Sequence, residues 1–159
     1  MIRELKYKGN KSVARLCGEI VYKFILENST GSMMRDVFPL PTILIPIPLA
    51  SERRRERGFN QNELVIKEII LCDVDKKLSF SFDVLEKNRH TKPQSSIKNR
   101  KERLKNLNGC FSVVHPDLVC GKNIILIDDV TTTGSTLSEA RAVLLKAGAN
   151  TVNAIAIAH

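Results

Sequence analysis

Residues 124–136 read IILIDDVTTTGST: four aliphatic residues, two aspartates, then a hydroxyl-rich turn holding one glycine. A run this short and apolar, with turn chemistry directly behind it, fits a strand buried on both faces of a parallel sheet. The strand is expected to end at the aspartates. Asp128 and Asp129 then lie at the carboxyl edge of the sheet, where open α/β folds bind their ligands. Carboxylates repel phosphate, so their task is a different one. Two adjacent acceptors suit the vicinal hydroxyls of a ribose or the water shell of a Mg²⁺ ion.

Val130 leads into Thr131, Thr132, Thr133, Gly134, Ser135 and Thr136, whose backbone N–H groups and hydroxyls make an anion nest, with Gly134 supplying backbone freedom. Leu137, Ala140, Leu144 and Ala147 then follow helical spacing, predicting a helix over 137–146. Thr136 and Glu139 are placed for a capping box, and the positive end of the helix dipole would face a phosphate. A phosphorylated ribose is the ligand class this order suits. A strand, a turn and an amphipathic helix without a ligand would explain the apolar spacing but not two acids beside three threonines. The chain has neither G-x-x-x-x-G-K-[ST] nor G-x-G-x-x-G, so other nucleotide sites match less well.

The remaining pattern supports an α/β chain. MIRELKYKGNKS is basic and short of core residues. Val13, Leu16, Ile20, Val21, Phe24 and Ile25 then show helical spacing. TILIPIPL reads as a buried strand running into an irregular loop, 60–71 as a helix, 78–86 as one strand, 111–114 as another and TVNAIAIA as the last. Strands alternating with helices predict a doubly wound, mostly parallel sheet, and 159 residues predict a single domain over 1–159.

Between Lys87 and Lys105 stand eight Lys/Arg residues against one Glu, which reads as a mobile basic loop followed by a short helix. The net charge of +8 asks for an anionic partner without separating pyrophosphate from nucleic acid. Cys17, Cys72, Cys110 and Cys120 form no C-x-x-C pair, so no zinc is expected, and reduced, mostly buried thiols fit a cytoplasmic protein. No apolar stretch is long enough to span a bilayer and no signal peptide is read, so no membrane role is expected.

IILIDDVTTTGST resembles the signature for 5-phosphoribosyl-1-pyrophosphate (PRPP) in type I phosphoribosyltransferases. The resemblance implies that Asp128 and Asp129 hold the ribose hydroxyls and Mg²⁺, through water or substrate, and that Thr131 to Thr136 hold the 5-phosphate. Pro48, Leu49, Ala50 and Ser51 stand where that fold keeps its pyrophosphate loop, with Arg57 close behind. EKNRHTK is similar to the K-N-R-Y loop of amidophosphoribosyltransferases, which adds Lys87 and Arg89 to the pyrophosphate set and Arg89 to the catalytic one, with His90 in place of Tyr.

A narrower resemblance is to the ComF/GntX family. Its P-x-P-L block matches Pro46, Pro48 and Leu49, and R-G-F-N-Q matches Arg57, Gly58, Phe59, Asn60 and Gln61. R-x-T-x-x-Q matches Arg89, Thr91 and Gln94, and R-x-x-N-x-x-x-x-F matches Arg103, Asn106 and Phe111. LKYKG also looks like that family, so the resemblance runs along nearly the whole chain. ComF-type proteins usually open with a four-cysteine zinc module. LKYKG is the first matched block here, and neither the zinc module nor a glutaminase domain is expected. The resemblance implies Mg²⁺-dependent phosphoribosyl transfer to an unidentified acceptor, with a role in DNA uptake. The alternative is a non-catalytic PRPP sensor, or a competence protein that binds single-stranded DNA or another part of that machinery. A homodimer is expected by analogy with the fold.

Overall fold

The computed structural model describes Glu4, Leu5, Tyr7 and residues 9–30, 41–87, 109–131 and 133–158. In chain order its elements are α1 (Lys11–Thr30), β1 (Thr42–Pro46), α2 (Ser51–Arg57), α3 (Gln61–Cys72), β2 (Leu78–Phe80), β3 (Leu85–Lys87), β4 (Phe111–Val113), a 3-10 turn (Pro116–Leu118), β5 (Asn123–Val130), α4 (Ser135–Lys146) and β6 (Thr151–Ala158). Four strands form a sheet in the order β2-β1-β5-β6, with every neighbouring pair parallel. β3 and β4 make a separate antiparallel pair.

A parallel strand covered on both faces must be apolar on both, and β5 shows the division residue by residue. Ile125 and Ile127 join the core beneath α1 and α3, with Val21, Ile25, Val65, Ile66 and Ile69. Ile124 and Leu126 join the opposite core, with Ala140 and Leu144 of α4 and with Leu85 and Phe111 of the β3–β4 pair. Helices therefore lie on both faces of the sheet, as the alternating pattern predicts.

This topology creates a crevice. β1 leads through α3 to β2 on one side, whereas β5 leads through α4 to β6 on the other, and α3 and α4 cover opposite faces. Connections that diverge in this way leave open space beyond the carboxyl ends of the two strands between them, here β1 and β5. The strands pair from Ile43 with Ile124 to Pro46 with Ile127, and Ile47 N donates to Ile127 O at 2.9 Å.

Several local expectations change. The stretch 78–86 is two strands: β2 ends at Phe80, Ser81 N turns onto Leu44 O, and the chain leaves the sheet to start β3 in the other pair. β5 continues past the aspartates to Val130, because Val130 still pairs with Ala158 of β6. α4 begins at Ser135, two residues early, on Gly134 at φ +69°, and no side chain caps it. The Thr136–Glu139 capping box is not formed. Glu139 instead accepts the Cys110 backbone N–H at 2.8 Å. In α1 the helical spacing holds but the buried face is Ala14, Cys17, Val21 and Ile25, while Leu16, Ile20 and Phe24 are exposed. The reason is Gly18, where a Cβ would come within 2.6 Å of Glu68 Cβ, so only a bare backbone lets α1 approach α3 along that face. Leu5 is fully buried, so the basic start does supply a core residue. None of the four cysteines is in a disulfide; Cys17 and Cys110 are buried, Cys72 is half-buried and Cys120 is exposed. Among the described residues, no helix is long and apolar enough to cross a membrane.

Candidate functional site

Asp128 and Asp129 stand at the carboxyl end of β5, and both are buried, at 8% and 5% exposure. Two carboxylates can stay in such a place only if donors meet them. The start of α3 supplies those donors. Gln61 Nε2 donates to Asp129 Oδ2 at 2.9 Å, and Asn62 Nδ2 donates to Asp128 Oδ1 at 3.4 Å. Asp128 Oδ1 also accepts the Asp129 backbone N–H at 2.9 Å.

These amides sit at the start of a helix because Asn60 caps it: its side-chain oxygen accepts the Asn62 N–H at 3.1 Å, as short polar residues do at a helix start. Asn60 Nδ2 and Asn62 Nδ2 both donate to Ile47 O, at 3.1 and 3.2 Å, which ties α3 to the end of β1. Gly58 takes φ +76° to end α2, and its N–H donates to Arg54 O. The ring of Phe59 then packs over Gly9, and Arg57 lies over the ring of Tyr7 at 5.2 Å. The LKYKG and RGFNQ blocks, far apart in sequence, thus touch.

The turn after β5 is held by its own groups. Thr131 N donates to Ala158 O, Gly134 N donates to Thr131 Oγ1 at 3.1 Å, and the Thr133 and Ser135 hydroxyls bond at 2.6 Å. Two of the expected anion-binding N–H groups are therefore already engaged, that of Thr131 by Ala158 of β6 and that of Gly134 by the Thr131 hydroxyl within the turn. Pro48, Leu49 and Ala50 link β1 to α2 beside the carboxyl end of β5, and Ser51 opens α2. Arg53, Arg54 and Arg55 are exposed on α2.

Lys87, the last residue of β3, lies with its ammonium 5.5 Å from the Phe111 ring. Burial pushes its pKa down and Arg53 adds to that, while Cys110, Asp128 and Glu139 act in the opposite sense. Of the acidic pair, Asp128 is the member that acts on Lys87. Arg89, Thr91, Gln94, Arg103, Asn106 and Thr132 lie outside the described residues.

Asn62 and Tyr7 matter although no sequence pattern singled them out, and Glu139 matters in a role other than the capping box expected of it. Asn62 is adjacent to the matched block, and three carboxamides in a row at a helix start were a signal, since one cap needs only one. Tyr7 and Glu139 act through contacts between distant segments, which no local pattern reveals. Asp128 and Asp129 offer hard oxygen donors suited to Mg²⁺. Among the described residues no group of three or more His, Cys, Asp or Glu gathers to hold a metal, so such an ion would complete its shell from water and substrate oxygens.

A parallel sheet with helices on both faces and an acidic pair before a Thr/Gly turn at its switch point defines a phosphoribosyltransferase-type fold of class I. The chain is similar to the hypoxanthine phosphoribosyltransferase of Staphylococcus aureus, with a TM-score of 0.50 and 14% identity over 92% of this chain and 63% of that one. It is also similar to the glutamine PRPP amidotransferase of Bacillus subtilis, with a TM-score of 0.54 and 16% identity over 99% of this chain and 30% of that one. Among curated proteins it is 31% identical over 157 residues to the DNA utilization protein YhgH of Salmonella typhi, covering 96% of this chain and 63% of that protein. It is 26% identical over 160 residues to competence protein F of Haemophilus influenzae, covering 100% of this chain and 66% of that one. Over 106 residues it is 39% identical to competence protein ComFC of Bacillus subtilis, covering 67% of this chain and 39% of that one. No family model matches. These likenesses support the ComF-family resemblance along nearly the whole chain. It spans about 63% of the length of the YhgH relatives.

Proposed function

We propose that this chain binds PRPP with Mg²⁺ and transfers its phosphoribosyl group to an acceptor nucleophile. The observation that carries this reading is the placement of two buried carboxylates and a hydroxyl-rich turn at the carboxyl end of β5, beside the switch point. In this reading Asp128 and Asp129 accept the ribose hydroxyls. The turn from Thr131 to Thr136 and the N-terminus of α4 hold the 5-phosphate. Engaging the phosphate would exchange the internal bonds of Thr131 and Gly134 for bonds to its oxygens.

Displacing pyrophosphate from the anomeric carbon develops positive charge on the sugar and negative charge on the leaving group. Pro48, Leu49, Ala50 and Ser51, with Lys87 and Arg89, are the groups suited to the leaving diphosphate. Bound through Asp128, Asp129 and substrate oxygens, Mg²⁺ would supply further charge neutralisation. In this reading the two carboxylates lie by the sugar, and their electrostatic work is stabilising a cationic centre.

Calorimetric titration of PRPP with and without Mg²⁺ tests the reading. We expect metal-dependent binding that is lost in Asp128→Asn/Asp129→Asn; equal binding by the double variant would remove both carboxylates from the site. A second reading, single-stranded DNA binding by a competence protein, is supported by the basic stretch from Lys87 to Lys105 and by the names of the relatives. Contacts dominated by phosphate weaken steeply as salt rises, so binding that ignores salt would count against it.

A further inference from the structure

Arg57 is the residue whose partners differ most from a leaving-group ligand. Its Nη1 donates to Gln61 Oε1 at 3.2 Å, and its guanidinium lies over Tyr7. That bond decides which way the Gln61 amide points: with Oε1 facing Arg57, Nε2 faces Asp129 and donates at 2.9 Å. Turned round, the amide would set its oxygen against a carboxylate oxygen and its NH₂ against a cation.

Asn62 is constrained in the same way. It is 1% exposed, and its two N–H donors meet two acceptors, Ile47 O and Asp128 Oδ1. Its own Oδ1 is buried without a hydrogen-bond partner. The orientation that leaves one oxygen unpaired is retained because the reverse would set that oxygen against two others, Ile47 O and Asp128 Oδ1. Both carboxylates are thus held from one side by adjacent residues of α3, and α3 is itself tied by Asn60 to the end of β1.

On the reading of Asp128 and Asp129 as ribose ligands, we propose that Arg57, Gln61 and Asn62 are positioning residues. They form a carboxamide clamp that orients the acidic pair, in which Arg57 acts through Gln61 on Asp129 rather than on pyrophosphate. The clamp explains why the RGFNQN block sits ahead of the acidic pair in the crevice. It aims the carboxylates, and the ligand meets the carboxylates.

Three probes separate the possibilities: PRPP with Mg²⁺, ribose 5-phosphate, and Mg²⁺ with pyrophosphate. Each is titrated calorimetrically into the native chain, Arg57→Met and Gln61→Glu, with thermal melting as the check on folding. Arg57 is a half-buried residue at a helix end, so its variant carries the comparison should Gln61→Glu fail to fold. We expect ribose 5-phosphate affinity to fall about tenfold in both variants, the size of a lost charge-assisted hydrogen bond. Pyrophosphate affinity should stay within about twofold of native. Loss of pyrophosphate affinity alone in Arg57→Met would make Arg57 a direct ligand and overturn the proposal. A lower melting temperature with both affinities unchanged would also overturn it, leaving the clamp a structural feature. If the native chain binds none of the probes, the ribose reading itself fails, and the native titration alone reveals that.

Discussion

Gln61 and Asp129 are 68 positions apart in sequence and joined by a 2.9 Å hydrogen bond between buried side chains. The bond connects the start of one helix to the end of the central strand, so the stability of α3 and the geometry of the acidic pair are coupled. Anything that loosens the first turn of α3 moves the carboxylates.

Asn60 tests that coupling. Its side chain caps α3 and donates to Ile47 O from a buried position. Asn60→Ala removes the cap, at about 2 kcal/mol, and should lower Tm by roughly 4–8 °C. Asn60→Ser keeps a capping oxygen without burying a charge against Ile47 O and should recover part of the loss. Equal melting of native and Ala chains would show that Asn62 holds the turn alone.

Gly18 sets the distance between α1 and α3. In an open helix, Gly→Ala stabilises by about 1 kcal/mol, but here the new Cβ meets Glu68 Cβ at 2.6 Å. Overpacking of this kind costs about 1–3 kcal/mol, so Gly18→Ala should destabilise. Urea unfolding checks the sign, and a stabilised variant would mean that the helices part easily.

Lys87 predicts a rise of stability with pH. Its folded-state value lies below the ordinary 10.5 because burial disfavours the charge. Between the lowered value and 10.5 the unfolded chain binds more protons than the folded one, so stability grows as pH rises through that window and is lost as pH falls through its lower end. Arg53 pushes the value further down, while Cys110, Asp128 and Glu139 push it up. Cys17, raised by burial, acts oppositely: its contribution is lost as pH rises through its folded-state value. Comparing urea midpoints of the native chain and Lys87→Met from pH 7 to about 10 cancels the cysteine effect. The native midpoint should gain on the variant with pH, and parallel profiles would sink the assignment.

Glu139 joins α4 to the start of β4 through the Cys110 N–H, and its Oε2 is buried without a hydrogen-bond partner. Glu139→Ala leaves that N–H without its acceptor, costing about 1–3 kcal/mol. Glu139→Gln keeps an acceptor and removes a half-satisfied buried charge, so it should melt close to native. A Gln variant as unstable as Ala would show that the charge itself matters, through Lys87.

Local pattern was enough to read β5, the helix after it, α3, β6 and the parallel character of the sheet. Their apolar spacing is strong, and the chemistry of IILIDDVTTTGST is contiguous. The same pattern misjudged the 78–86 stretch, because β-strand pairing is decided by partners: Phe80 and Leu85 both suit a strand, yet they belong to different sheets. It also misjudged which face of α1 is buried, since a small residue at position 18 matters only against Glu68.

What this sequence determined by itself is the order of layers and the acidic pair before its phosphate-type turn, because periodicity and contiguous motifs are local properties of a chain. Only the tertiary structure decided which side chains hold that pair. Gln61 reaches Asp129 and Asn62 reaches Asp128, with Arg57 behind Gln61, because β1 and β5 are neighbours in a parallel sheet and the start of α3 is tied to Ile47 just beyond β1. A hydrogen bond of that kind depends on the register of elements tens of residues apart, which packing sets and local sequence does not carry.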